Sequence, residues 1–224
     1  IDRENKEVAF TIFIDPGKRV YVRQINIAGN TKTRDEVIRR EFRQMEGSWY
    51  DGKNIKISRD RVARLGFFTE VTVETPEVPG TVDQVDVNLK VTEKPTGNLM
   101  LGAGFSQEDK LLLSGSIEQQ NFAGTGNDVA LNINTSKRYR TIAITQNTPY
   151  DGISRRYELF YRTIRPPLIN DSDYKVETLG ANVKFGVPFT EVDRVFFGIG
   201  VERNSLDVYW DSPQRYKDFV RDFG

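Results

Sequence analysis

A chain of 224 residues has room for one large domain or two small ones. Its 32 Lys and Arg balance 32 Asp and Glu, evenly along the length, which argues against a general nucleic-acid binder with a strongly basic domain. With no Cys and no His, the Ser-His-Asp and Cys-His nucleophile systems are excluded and most zinc sites with them, so no catalytic, cofactor or metal-binding residue is assigned.

The opening residues, IDRENKEVAF, begin in a polar run and read as an interior cut in a longer chain. EVAFTIFI alternates Val8, Phe10, Ile12 and Ile14 against polar neighbours and stops at the turn signal Asp15-Pro16-Gly17. RVYVRQINIAG then alternates Val20, Val22, Ile25 and Ile27, with a slip near Arg23 and Gln24 that predicts a bulge. After Gly29-Asn30, Thr33 followed by Glu36 has the form of a capping box. The helix it predicts carries Val37, Ile38 and Phe42 and stops at Gly47. A second helix is expected over NIKISRDRVARLG, with Ile55, Ile57, Val62 and Leu65 inward, Ser58 and Arg61 wet, and Gly66 at its end. FFTEVTVETPE and QVDVNLKVTEK are two alternating strands joined as a hairpin by VPGTVD. The order is strand, helix, helix, strand, strand.

TEKPTGN breaks the chain into two grammars, because beyond it only strands and turns are read. Seven alternating segments follow: NLMLGAGFS, LLLSGSIEQQ, DVALNINT, YRTIAITQ, RRYELFYRT, VETLGANVKFGV and RVFFGIGVERN. Each sets apolar residues such as Leu99, Leu131, Leu159 and Phe197 against a side of Gly, Ser, Asn and Thr. Glu118, Arg156, Glu158, Arg162, Lys184, Arg194 and Glu202 all fall on that polar side. Such striping suits a barrel in lipid, where a mid-plane Arg on the outer face costs about 2–4 kcal/mol. Tyr139, Tyr150, Tyr157 and Phe189 suit an interfacial girdle. The pattern alone leaves open a soluble barrel or sandwich with its apolar side inside. Seven strands also fall short of the eight or more that close a membrane barrel.

Three stretches, VYVRQINIAGNTKTRDEVIRREFRQMEGSWY, DRVARLGFFTEVTVET and DQVDVNLKVTEKPTGNLMLGAGFS, resemble the barrel-proximal POTRA domain and first barrel strand of the Omp85 family of outer-membrane assembly proteins. QQNFAGTGNDVALNIN and ITQNTPYDGIS resemble the strands and turns that follow. The resemblance implies an α+β POTRA domain (βααββ) over 17–95, preceded by the end of another POTRA domain at 1–16. It implies an all-β antiparallel meander over 96–224, about seven strands of a sixteen-stranded transmembrane barrel. It further implies residence in the cell outer membrane with the POTRA part in the periplasm. The partners it implies are unfolded outer-membrane proteins, accessory lipoproteins and outer-membrane lipid.

Insertion of other barrels needs no bond chemistry, only a strand that offers backbone partners. The first barrel strand, 98–106, is the candidate gate: Asn98, Leu99, Met100, Leu101, Gly102, Ala103, Gly104 and Phe105, in which the glycines loosen packing. Residues 32–64 hold ten basic and six acidic residues, and Arg39, Arg40, Glu41 and Arg43 at the first helix's end are candidates for lipoprotein docking. Alternatives are a two-partner secretion pore of the same superfamily and a soluble β-sandwich binding module. GAGFSQ lacks the third glycine of a dinucleotide loop, GTGND is a turn, and Asp171 and Asp173 read as a solvated loop.

Overall fold

A computed structural model describes residues 13, 19–107, 109–148, 152–166, 174–190 and 193–223. The expected strand within residues 1–16 and its closing turn lie outside the described residues but for Phe13, as do Tyr150, Asp171 and Asp173.

The first unit is built from β1 (Tyr21–Ala28), α1 (Asp35–Arg39), α2 (Gly52–Arg64), β2 (Phe68–Glu74) and β3 (Gln84–Glu93). The strands order β1-β3-β2, with β1 parallel to β3 and β2 antiparallel to it. The register slips between Val22 and Ile25, where the sequence predicts a bulge. This lets Val22 and Ile25 both enter the core although they lie three positions apart. On the helices, Val37 and Ile38, then Ile55, Ser58 and Val62 at helical spacing, cover that sheet. Phe42, Phe67, Phe68, Val87, Leu89 and Val91 complete the core.

Two expectations for the helices fail. Thr33 does not cap α1: the N-cap is Arg34, without a side-chain hydrogen bond, and the helix lasts only five residues. Its continuation tightens into i to i+3 turns, with Glu41 N donating to Ile38 O and Phe42 N to Arg39 O, which swings Glu41 inward. Ser58 and Arg61 are not wet either. Both are buried, Ser58 donating to Asn54 O (2.7 Å) and accepting from Arg43 N (2.8 Å).

The second unit is one seven-stranded antiparallel sheet: β4 (Gly97–Ser106), β5 (Lys110–Gln119), β6 (Asp128–Thr135), β7 (Tyr139–Thr148), β8 (Ser154–Ile164), β9 (Tyr174–Pro188) and β10 (Arg194–Val208). Every strand pairs with its sequence neighbours, as a meander does. β9 and β10 reach 15 residues, longer than their alternation alone marks. A helix, α3 (Gln214–Phe223), follows β10.

Register converts the stripes into faces. One cross-strand row runs Leu99, Ile117, Leu131, Ile144, Leu159, Ala181, Val201 across all seven strands. The neighbouring row, on the opposite face, runs Asn98, Glu118, Ala130, Thr145, Glu158, Asn182, Gly200. A one-residue slip at any strand would break both rows, so the apolar pattern itself fixes the pairing. The apolar face is uncovered: Leu159 is 54% and Phe197 57% exposed, and no second layer packs on it among the described residues. The second face is not purely polar. Phe160 lies there, buried over Gly180, where a Cβ would come within 2.3 Å of the ring.

Candidate functional site

β4 is an edge. It pairs with β5 along its whole length, Gly97 opposite Gln119 through Ser106 opposite Lys110, and with no other strand among the described residues. All eight candidate gate residues, Asn98 through Phe105, are exposed. Leu99, Leu101, Ala103 and Phe105 share the apolar face, and Asn98, Met100, Gly102 and Gly104 the other. The two glycines differ. A Cβ at Gly104 would meet Leu112 at an ordinary 3.7 Å, whereas at Gly102 it would come within 2.5 Å of Ser114 Oγ. Gly102 therefore leaves room for the Ser114 hydroxyl, whose Cβ stands at 3.9 Å, while Gly104 leaves the seam thinly packed.

The start of β4 is fastened on two sides, to the end of β5 through Thr96 and to the first unit through Lys94. Thr96 Oγ1 donates to Gln120 O (2.8 Å), Gln119 Nε2 donates to Thr96 Oγ1 (2.7 Å), and Lys94 N donates to Phe67 O (3.0 Å). The β5–β6 turn, read from the sequence as a turn only, packs on the loop before α1. Asn121 adopts the left-handed conformation (φ 52°), and its Nδ2 donates to Thr33 Oγ1 at 2.8 Å. Its Oδ1 accepts from Gly126 N (2.8 Å), and Arg34 N donates to Gly124 O (3.0 Å). Gly124 (φ +72°) sits so close that a Cβ would fall 2.0 Å from Lys32 O. Thr33 thus anchors a contact with a residue 88 positions on. The only sequence signal for this seat was the density of Asn and Gly.

Glu93, at the end of β3, secures the other side of that loop. Its carboxylate accepts from Thr31 Oγ1 (2.7 Å) and from the backbone N–H groups of Thr31, Lys32 and Thr33 (2.7–3.2 Å). Burial pushes its pKa up, but the hydrogen bonds from Thr33, Thr31 and Lys32 outweigh that and hold it down at about 2. The folded value lies below the ordinary one of 4.5, so the stabilisation is complete above pH 4.5 and is lost as pH falls through about 2. Amide exchange at Thr31 to Thr33, taken relative to the unstructured-chain rate at each pH, should stay slow at neutral pH and rise as pH falls through that window. Glu93→Gln should raise it already at pH 7 and flatten the acid response; identical pH profiles for the two proteins would remove Glu93 from this role.

The docking candidates separate. Arg39 is exposed, paired with Asp35 (2.8 Å) and Glu46 (3.3 Å), and Arg43 is half-buried. Arg40 turns toward the seat of Gly126, where a Cβ would come within 2.5 Å of its Nη2. Glu41 is buried: its carboxylate accepts from Arg61 Nη2 (2.8 Å) and lies 3.8 Å from Arg40 Nε. It is a core ion pair and presents nothing to a partner, which corrects its assignment as a docking residue. The girdle candidates Tyr139, Tyr157 and Phe189 are exposed. Among the described residues no helix is long and apolar enough to cross a membrane, which says nothing of strands.

The POTRA family, described as a surface antigen variable number repeat, matches residues 20–94, and the Omp85 superfamily domain matches residues 121–221. The outer membrane protein assembly factor BamA of Neisseria meningitidis serogroup B (strain ATCC BAA-335 / MC58) is 40% identical over 226 residues, covering 99% of this chain and 28% of that protein. BamA of Buchnera aphidicola subsp. Acyrthosiphon pisum (strain APS) is 26% identical, covering 92% of this chain and 34% of that one. The chain therefore spans about a third or less of these relatives. The crystal structure of BamA from Haemophilus ducreyi lacking POTRA domains 1–3 superposes with a TM-score of 0.79 at 31% identity, over 94% of this chain and 40% of that one. The βααββ unit, the seven-stranded meander behind it and these matches agree, and the chain belongs to the Omp85 superfamily as a POTRA domain joined to the N-terminal part of its β-barrel.

Proposed function

We propose that this chain is the barrel-proximal part of an outer-membrane assembly factor that folds and inserts other β-barrels, with β4 as the strand on which an incoming strand pairs. The domain limits are 17–95 for the POTRA domain and 96–224 for the barrel part. The apolar face meets hydrocarbon in the outer membrane, and the POTRA domain lies in the periplasm. The observation that supports the reading is the seam of β4, the first strand of the meander: its only described partner is β5, a Cβ at its Gly104 would meet Leu112 at no closer than 3.7 Å, and it lies beside an apolar sheet face. An open edge offers N–H and C=O groups that a substrate strand can satisfy while its side chains pass into lipid. Gly104 keeps the existing seam weak enough for such a partner to compete. Unfolded outer-membrane proteins are the substrates, and accessory lipoproteins dock on the POTRA surface around Arg39 and Arg43.

Cysteines placed one at a time from Asn98 to Phe105 in the full-length protein should crosslink to a stalled substrate barrel, in register along the strand. Crosslinks confined to β7 or β8 would sink the gate assignment. A secretion pore would instead pass its chain along the polar face, so that crosslinks collect at Asn132 and Asn182; reconstituted full-length protein would then fail to fold an unrelated barrel.

A further inference from the structure

At the rim of the sheet away from the POTRA domain, the β6–β7 turn, the end of β8 and the start of β9 enclose a cleft of about 200 Å³. Lys137, Arg138, Arg140, Arg165 and Lys175 line it, with Glu177 the one carboxylate among them. Lys175 is paired with Glu177 and with Asp207 (3.3 Å), and Arg138 lies 3.9 Å from Asp109. Arg140 and Arg165 are exposed and have no carboxylate partner among the described residues.

Register says which way the cleft faces. Arg140 stands opposite Thr163, and Thr163 opposite Glu177; Ile142, Tyr161 and Leu179 form the next row on the same face. Arg140 therefore lies on the apolar face one row beyond its last apolar positions, and Arg165 and Lys175 continue that face one row further. Two residues of strand separate the rows, about 7 Å. Along β9 the same face runs from Leu179 to Val187 without a charge, about 26 Å of strand, of the order of the ~25 Å apolar band of membrane barrels. Strand tilt shortens its projection and brings the cleft nearer the boundary of the hydrocarbon. Tyr161, with an apolar ring and a polar tip, bridges the two zones.

We propose that this cleft binds the phosphate group of a membrane lipid, with Arg140 and Arg165 as the primary donors and the lipid's chains lying along the row Ile142, Tyr161, Leu179. The two guanidinium groups, without a carboxylate partner among the described residues, supply planar pairs of donors suited to phosphate oxygens, which an ammonium does not. A soluble phosphate would find the same donors but would gain nothing from the apolar row beneath them. The proposal rests on the apolar face meeting lipid.

The test uses full-length protein in detergent, read by native mass spectrometry, with phosphatidic acid and diacylglycerol of equal chain length as probes. Wild type should retain phosphatidic acid, and Arg140→Gln with Arg165→Gln should weaken that retention about 30-fold, near fivefold for each charge at an anionic lipid surface. Diacylglycerol should bind both proteins alike and weakly. The pair Arg140→Lys with Arg165→Lys, which keeps the charge and guards against misfolding, should recover part of the retention. Equal retention of phosphatidic acid by wild type and the glutamine pair overturns the site. Full displacement by millimolar inorganic phosphate overturns the lipid assignment. Association of neither lipid with wild type instead marks failure of the lipid-facing reading beneath it.

Discussion

Glu41→Lys should unfold the POTRA domain rather than weaken docking. The Glu41 and Arg61 side chains are 6% and 7% exposed, and Arg61 also donates from Nε to Glu41 O (3.2 Å). Reversing one charge leaves two cations buried with no anion between them. Breaking a buried pair from one side costs about 3–5 kcal/mol, a drop of roughly 15 °C or more in Tm for a domain of this size. Trp49, stacked on Tyr21 with ring centroids 4.2 Å apart and with Arg19 over it at 5.1 Å, reports the loss by fluorescence. Replacing both partners, Glu41→Met with Arg61→Leu, removes charge from each side and should recover most of the Tm. Reversal at exposed Arg39 should shift it by only a few degrees, since surface pairs contribute about 0–1 kcal/mol. A Tm for Glu41→Lys within about 2 °C of wild type would mean that the pair does not hold the core.

The same residue shows where the sequence stops being legible. Alternation at period two marks all seven barrel strands and both barrel-side faces, because a register error would scatter the apolar row. The bulge near Arg23 and Gln24 is visible for the same reason: the stripe slips there. Polarity, however, carries no record of its partner. Glu41 and Arg61 are 20 residues apart, and each alone reads as a solvated charge. Ser58 falls in the same class, because its role is to meet the N–H of Arg43 where α1 has ended. Thr33 with Glu36 satisfies a capping box on paper, yet Asn121 claims the Thr33 hydroxyl from another unit. Local rules describe what a residue can do within its own segment, and here a tertiary contact outcompetes the cap. β4 was legible as the first strand of the meander, and what each of its two glycines faces followed only from the pairing with β5.

Gly124→Ala should release the POTRA domain from the barrel strands while leaving each folded. The new Cβ would meet backbone, Lys32 O at 2.0 Å and Lys32 C at 3.0 Å, so no rotamer change relieves it. The left-handed backbone adds about 1–2 kcal/mol for a non-glycine residue. Displacing the turn also removes the bonds from Arg34 N to Gly124 O and from Asn121 Nδ2 to Thr33 Oγ1, about 1 kcal/mol each. Together about 3 kcal/mol is lost, roughly a hundredfold in the ratio of seated to unseated forms. Spin labels at Lys53 in α2 and Lys137 on the far rim should give a narrow distance distribution in wild-type full-length protein and a broad one in the variant. Gly47→Ala is the matched control, because Gly47 has φ +73° but nothing within 4 Å of the added Cβ, so it carries the strain without the clash. If Gly47→Ala broadens the distribution as much as Gly124→Ala, strain in the POTRA domain and not the seat sets its position. If neither does, the Lys94 and Thr96 contacts hold the junction without the β5–β6 turn. Broadening in Gly124→Ala alone assigns the junction to this turn, and makes it the route by which a shift of the POTRA domain reaches β5 and the seam with β4.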